Sequence, residues 1–130
     1  MAILFAPVAP IRLVRGTLWT DELQVLEQET GDPVNLAGIE GLLMRVRRSI
    51  SAPILLELAL ENGLELVNAT SGLLRFNVPS ARTLTLPENG NRKAKYVYDA
   101  VIERTPNEYE AAIAGKLVVL PCITRPWAAT

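Results

Sequence analysis

Leu42-Leu43-Met44-Arg45-Val46-Arg47-Arg48 is the stretch that decides the fold class of this chain. Leu42, Met44 and Val46 fall on one side of an extended backbone, and Leu43, Arg45 and Arg47 on the other. A period of two is the mark of a half-buried strand, because successive side chains point to opposite faces of a sheet. The pattern repeats outward from there. Ile54–Glu61 places Ile54, Leu56, Leu58 and Leu60 inward. Leu73–Val78 places Leu74, Phe76 and Val78 inward, and Tyr96–Glu103 alternates again. Glu22–Glu29, with Leu23, Val25 and Leu26, fits a strand or a short helix.

Turn residues separate these runs. Thr30-Gly31-Asp32-Pro33 follows Glu22–Glu29, and Glu61-Asn62-Gly63 joins Leu56–Leu60 to Leu64–Val67. Asn62-Gly63 is a strong hairpin dipeptide, since both residues tolerate positive φ. Thr70-Ser71-Gly72 leads into Leu73–Val78, Pro87–Asn91 precedes the Tyr96 run, and Thr105–Glu108 follows it. Gly115 precedes an expected final strand, Lys116–Ile123. Ser80–Leu86 has room for one helical turn, with Ser80 as its cap and Pro87 as its stop. Short strands with turns every ~8–12 residues predict an all-β fold. The expected architecture is a single antiparallel β-sandwich, jelly-roll or immunoglobulin-like, with at most one short helix. One domain accounts for residues 1–130: an N-terminal arm over 1–11, the sandwich over 12–124 and a C-terminal tail over 125–130.

Composition narrows the chemistry. The chain has 130 residues, no His and a single Cys, with 13 Lys+Arg against 14 Asp+Glu. Without His there is no His-dependent triad or histidine metal ligand, and one Cys allows no disulfide framework or paired-thiol metal site. Cys122 lacks a base to activate it and reads as a small apolar residue in or near a strand. The expectation is a protein with no catalytic residues, no cofactor and no metal. A net charge of −1 argues against a nucleic-acid binder. Met1–Ile11 is uncharged but shorter than the ~20 residues of a membrane helix and is broken by Pro7 and Pro10, so neither a membrane span nor a signal peptide is expected.

The hydrophobic fraction is 49%, with only 5% aromatic. Part of the excess falls on positions that should face outward: Leu43, Leu55, Leu73, Val97 and Val101. Apolar outer faces and apolar ends mark surfaces intended for neighbours. The candidate assembly residues are therefore Ile3, Leu4 and Phe5 in the arm, Leu43, Arg45, Arg47 and Leu55 on the strands, and Trp127 in the tail. Arg45, Arg47 and Arg48, with Arg92-Lys93-Ala94-Lys95, read as a solvated face balanced by Glu57, Glu61 and Glu65. No aromatics interleave with them as a single-strand platform requires. Asp99, opposite Tyr96 and Tyr98 in the alternation, reads as a structural partner for Arg45 or Arg47. The two tyrosines read as core rings with hydroxyls at the rim, and Trp19 as a core residue of the first strand.

The motifs, taken in order, resemble a known family. They are Gly16-Thr17-Leu18-Trp19; Asp32-Pro33-Val34-Asn35-Leu36-Ala37-Gly38; Met44-Arg45-Val46-Arg47; Ala69–Leu74; Tyr96-Val97-Tyr98-Asp99; and Ala114–Pro121 with Thr124-Arg125. Over most of residues 14–125 the set is similar to the small β-sandwich proteins of tailed bacteriophages and prophages, as in the N-terminal domain of phage baseplate upper proteins. Asn35 stands where the family has Asp, and Cys122-Ile123 where Glu-Val is common. The resemblance implies a non-enzymatic structural protein made in the host bacterial cytoplasm and carried in the virion, at the tail or baseplate. Capsid decoration is the alternative. Its partners would be other virion proteins and copies of itself, as a trimer or hexamer. A carbohydrate-binding module is a further alternative for a sandwich of this size.

Overall fold

Eight strands form one curled sheet in the computed structural model, which describes residues 11–126 apart from Gln28, Glu88 and Asn91, and only the backbone of Ala112 and Ile113. The strands are β1 Ile11–Val14, β2 Glu22–Gln24, β3 Gly41–Arg47, β4 Ile54–Leu60, β5 Gly63–Asn68, β6 Leu73–Phe76, β7 Ala94–Thr105 and β8 Glu108–Leu120. Their spatial order is β1-β8-β7-β3-β4-β5-β6-β2. The fold is all-β, as the alternation predicts. Its two helical pieces are a 3-10 turn, Ala69–Ser71, and a single turn of helix α1, Ser80–Thr83. Pro79 caps α1 without a side-chain hydrogen bond, so the expected Ser80 cap is corrected to a first helical residue, and the helix stops well before Pro87.

Alternation builds the core. Leu42, Met44 and Val46 from β3 are buried, as are Leu74 and Phe76 from β6, and Tyr96, Tyr98, Ala100 and Ile102 from β7. Leu56 and Leu58 from β4 join them, but Ile54 is 41% exposed and Leu60 only half-buried. Leu60 still packs against the core cluster, and Ile54 is turned out by a register shift where Val46 faces Leu56 and Arg47 faces Ile54. That bulge skips Leu55, and Leu55 packs against the core cluster. An extra residue in one strand re-aims its neighbours, which is why Leu55 is an inner support and not the outward contact the spacing suggested.

Two further expectations are corrected. The last strand does not start after Gly115 but at Glu108: β7 and β8 form a long hairpin from Ala94↔Val119 to Thr105↔Glu108. Asn107, at φ 67, makes the turn, and its N–H donates to Glu103 Oε2 at 2.9 Å. The sheet is also not wholly antiparallel, because β1 runs parallel to β8, Ile11 opposite Leu117.

The Glu61-Asn62-Gly63 turn exists, but its positive φ values belong to Glu61 (62°) and Gly63 (100°). Ala59 and Asn62 exchange both backbone hydrogen bonds, at 3.0 and 2.9 Å. Beyond it, β5 touches β4 only at Ala59↔Gly63 and Leu60↔Leu64, side by side in direction. A parallel ladder needs a crossover of about a dozen residues, so this contact is a corner, not a ladder. Arg82 of α1 holds it, donating to Asn62 Oδ1 at 2.8 Å and to the carbonyl of Glu57.

At the far ends of the sheet, residues 15–21 connect β1 to β2 and close the curl. Trp19 sits in this connection rather than within a strand. It exchanges two backbone bonds with Val78 (3.0 and 2.9 Å) and stacks on Phe76 with ring centroids 4.3 Å apart. The Thr83 hydroxyl, buried, donates to the carbonyl of Thr17 at 2.8 Å and ties α1 to the same connection. On the other flank, the Gly31–Gly38 segment wraps around Gly72. Val34 N–H donates to Val25 O, Leu36 N–H to Ala69 O, and Asn35 Oδ1 accepts from Ala37 N–H at 2.9 Å. An Asp side chain could make that last turn bond equally well.

Candidate assembly surface

The outer face of β8-β7-β3-β4 gathers three of the residues singled out in the sequence. Register sets the rows across the four strands. Ala111, Val101, Leu43 and Ala59 make an apolar row, while Ala114, Asp99, Arg45 and Glu57 make a charged one. A third row runs Lys116, Val97, Arg47 and Ile54. Leu43, Val97 and Val101 are half-buried there. Arg45 lies between two carboxylates, opposite both Asp99 and Glu57, and its Nε–Oε2 ion pair of 2.9 Å goes to Glu57. Both side chains are nearly half exposed, so the pair contributes less than about 1 kcal/mol to folding. Arg47 reaches the other way: its guanidinium donates to Ala52 O at 2.7 Å and fixes the loop between β3 and β4.

That loop carries a residue the sequence reading passed over. Ile50 is 92% exposed. Together with Arg45, Arg47, Val97, Asp99 and Ala114 it lines an open hollow of about 410 Å3 on this face. An isolated Ile within Ser49-Ile50-Ser51 was the available signal. Leu55 is not part of the face, for the reason given above. Ile3, Leu4, Phe5 and Trp127 lie outside the described residues. Ile123, beyond the end of β8, is also almost fully exposed.

A cleft among Arg15, Arg92, Cys122 and Arg125 encloses about 20 Å3, the space of a single water molecule. Trp19, Phe76, Tyr96 and Tyr98 are buried, which leaves Tyr109 as the exposed ring among the described residues. Arg75 pairs with Glu22 at 2.9 Å, and Glu65 accepts from Asn77 at 3.1 Å. The described helices include none long and apolar enough to cross a membrane.

Beneath the hollow, Gly115 and Tyr98 face each other across β8 and β7. A Cβ on Gly115 would come 2.9 Å from the Tyr98 hydroxyl and 3.1 Å from its ring. The tyrosine therefore occupies space that only glycine leaves open, which accounts for a glycine inside a strand. The Tyr96 hydroxyl donates to Pro87 O at 3.1 Å, whereas that of Tyr98 is buried with no hydrogen-bond partner among the described residues. The expectation of two rim hydroxyls is corrected to one.

Burial pushes both phenols above their ordinary value of 10.0, with Arg48 and Arg15 partly offsetting it at Tyr96. The unfolded chain loses these protons first. Stability is thus fully present below pH 10 and falls as pH climbs through the raised folded values. Urea midpoints measured from neutral to strongly alkaline pH should show that decline, with a shallower slope in Tyr98→Phe. At neutral pH the same variant should match or exceed the parent by up to about 1 kcal/mol, because it deletes an unsatisfied buried hydroxyl. A loss larger than that would reveal a partner for the hydroxyl.

No protein-family model matches the chain, and no curated protein matches its sequence.

Proposed function

We propose that this chain is a non-enzymatic structural subunit of a phage or prophage virion, seated at the tail or baseplate and assembling with copies of itself and other virion proteins. We also read the curled sheet as a β-sandwich creased at the β4–β5 corner, with β1-β8-β7-β3-β4 as one layer and β5-β6-β2 as the other. The observation that carries the assembly reading is the outer face of the larger layer. It has an apolar row through Leu43 and Val101, an Arg45–Glu57 pair beside it, and an exposed Ile50 at the edge of a hollow. Apolar contact supplies affinity at such a face, while flanking charges set register and partner choice. The resemblance of the ordered motifs to those of the phage sandwich proteins is what suggests the virion context.

The test has two parts. Sedimentation of the full chain should give a trimer or hexamer, and Ile50→Glu should weaken it about tenfold or more, the worth of one buried aliphatic side chain. Ile50 is so exposed that the variant should keep its urea midpoint. Mass spectrometry and immunogold labelling should then place the chain in intact particles, on the tail. A compact monomer at every concentration that binds no virion protein would overturn the proposal. Labelling on the head would replace the tail assignment with capsid decoration.

A further inference from the structure

The outer face of β8-β7-β3-β4 carries two charges that are left unmatched. Asp99 on β7 and Lys116 on β8 are both exposed. Among the described residues neither has an ion-pair partner. The cation opposite Asp99 in register is Arg45, but Arg45 is committed to Glu57 at 2.9 Å. Arg47 turns to the carbonyl of Ala52. The pairing of Asp99 with Arg45 or Arg47 that the alternation suggested is therefore not made. The outer face of β5-β6-β2 differs: there Arg75 is matched by Glu22, and Glu65 by Asn77.

The register fixes how the two unmatched charges lie. Asp99 sits opposite Ala114, and Lys116 opposite Val97. These four residues are the corners of a rectangle, with the charges on one diagonal and Ala114 and Val97 on the other. Diagonal positions of this kind are about 7–8 Å apart. Val97, Asp99 and Ala114 also line the hollow, with Ile50 at its rim.

A patch of this layout is its own complement. A half turn of a second copy about the Ala114–Val97 diagonal brings its Lys116 over Asp99 and its Asp99 over Lys116. The side chains on the axis, one small and one apolar, meet their own equivalents. Such a twofold contact uses the same surface on both copies. Sheets stacked face to face lie about 10 Å apart, a gap that aspartate and lysine side chains reaching toward each other span.

We propose that the occupant of this hollow is a second copy of the chain, docked face to face about that diagonal, with Asp99 of each copy paired to the partner's Lys116. Ile50, 92% exposed in the single chain, is then covered by the partner. The inference rests on the assembly reading above and sharpens it. A hexamer of two stacked trimers contains twofold contacts of this kind, whereas a single threefold ring does not.

Sedimentation of full-length charge variants tests it. Asp99→Lys makes both charges of the diagonal basic, and Lys116→Asp makes both acidic, so each variant sets like charges against each other twice. Each alone should weaken the twofold contact about tenfold or more. An equimolar mixture of the two should recover the parent's assembly, because each basic diagonal then meets an acidic one. Neither chain in that mixture carries both charges, so a pair within one chain cannot produce the recovery. Both sites are exposed and without ion partners, and the urea midpoints should stay near the parent's.

Parental self-association in both single variants would overturn the twofold docking, as would a mixture that fails to recover or a parent that sediments only as a trimer. The assembly reading survives those results if Ile50→Glu still weakens the oligomer, since the face then makes a different contact. A parent that is monomeric at every concentration and binds no virion protein overturns both.

Discussion

Gly72→Ala should cost about 3–5 kcal/mol, the sum of a left-handed penalty, an overpacking term and a lost backbone bond. Gly72 sits at φ 68, just after the 3-10 turn. A Cβ there would lie 2.6 Å from Val34 O and 2.8 Å from Val25 O. Neither is the tip of a side chain that can swing aside; both belong to the backbone that wraps this corner. Gly72 O also accepts the N–H of Val25 at 2.9 Å, so any retreat from the new methyl breaks that bond. Urea unfolding of the purified variant measures the loss. Gly90→Ala is the control: it shares the positive φ, at 60°, but nothing lies within 4 Å of its Cβ position. It should lose only about 1 kcal/mol, the backbone term alone. Equal losses at the two sites would mean that the crowding at Gly72 relaxes freely.

Trp19→Ala should be comparably severe, at about 3–5 kcal/mol, in the range for deleting a large buried ring. The side chain is buried, stacks on Phe76 and donates from Nε1 to Asp21 Oδ2 at 2.9 Å. Its position gives the loss a further consequence. Trp19 joins the connection between β1 and β2 to Val78, and so links the two ends of the curl. The variant should lose hydrogen-exchange protection first in β1 and β2, while the central β3–β7 ladder holds. Leu18→Ala, next to it but 59% exposed, should stay within about 0.5 kcal/mol of the parent. If Trp19→Ala unfolded uniformly with a loss near 1 kcal/mol, the closure would rest elsewhere.

The two substitutions mark where local reading was enough and where it was not. Thr70-Ser71-Gly72 is legible as a turn, because glycine before an alternating run is a local fact. That the turn is crowded by Val25 and Val34 is not legible, since those carbonyls arrive from another part of the chain. Trp19 is legible as core from its size. Its place between the ends of the sheet depends on Val78, far along the sequence. Much the same holds for the candidate surface. Arg45 and Arg47 alternate with Met44 and Val46, so their outward side is plain. Leu55 looks equally outward until the bulge opposite Arg47 turns it inward. Ile50 is an ordinary loop residue until the loop folds over the outer face.

What the sequence by itself determined is the face a strand residue takes wherever the register runs unbroken. A period of two is a property of the extended backbone and needs no partner to be read. It placed Met44, Val46, Leu74, Phe76, Tyr98 and Ile102 inside, and the lack of His restricted the chemistry. Only the tertiary structure decided which strands are neighbours, where the register slips, and how the sheet closes. Those depend on hydrogen bonds between distant residues, such as Ile11 beside Leu117 and Trp19 beside Val78. A strand's own alternation is the same whichever neighbour it takes, so pairing leaves no mark on it.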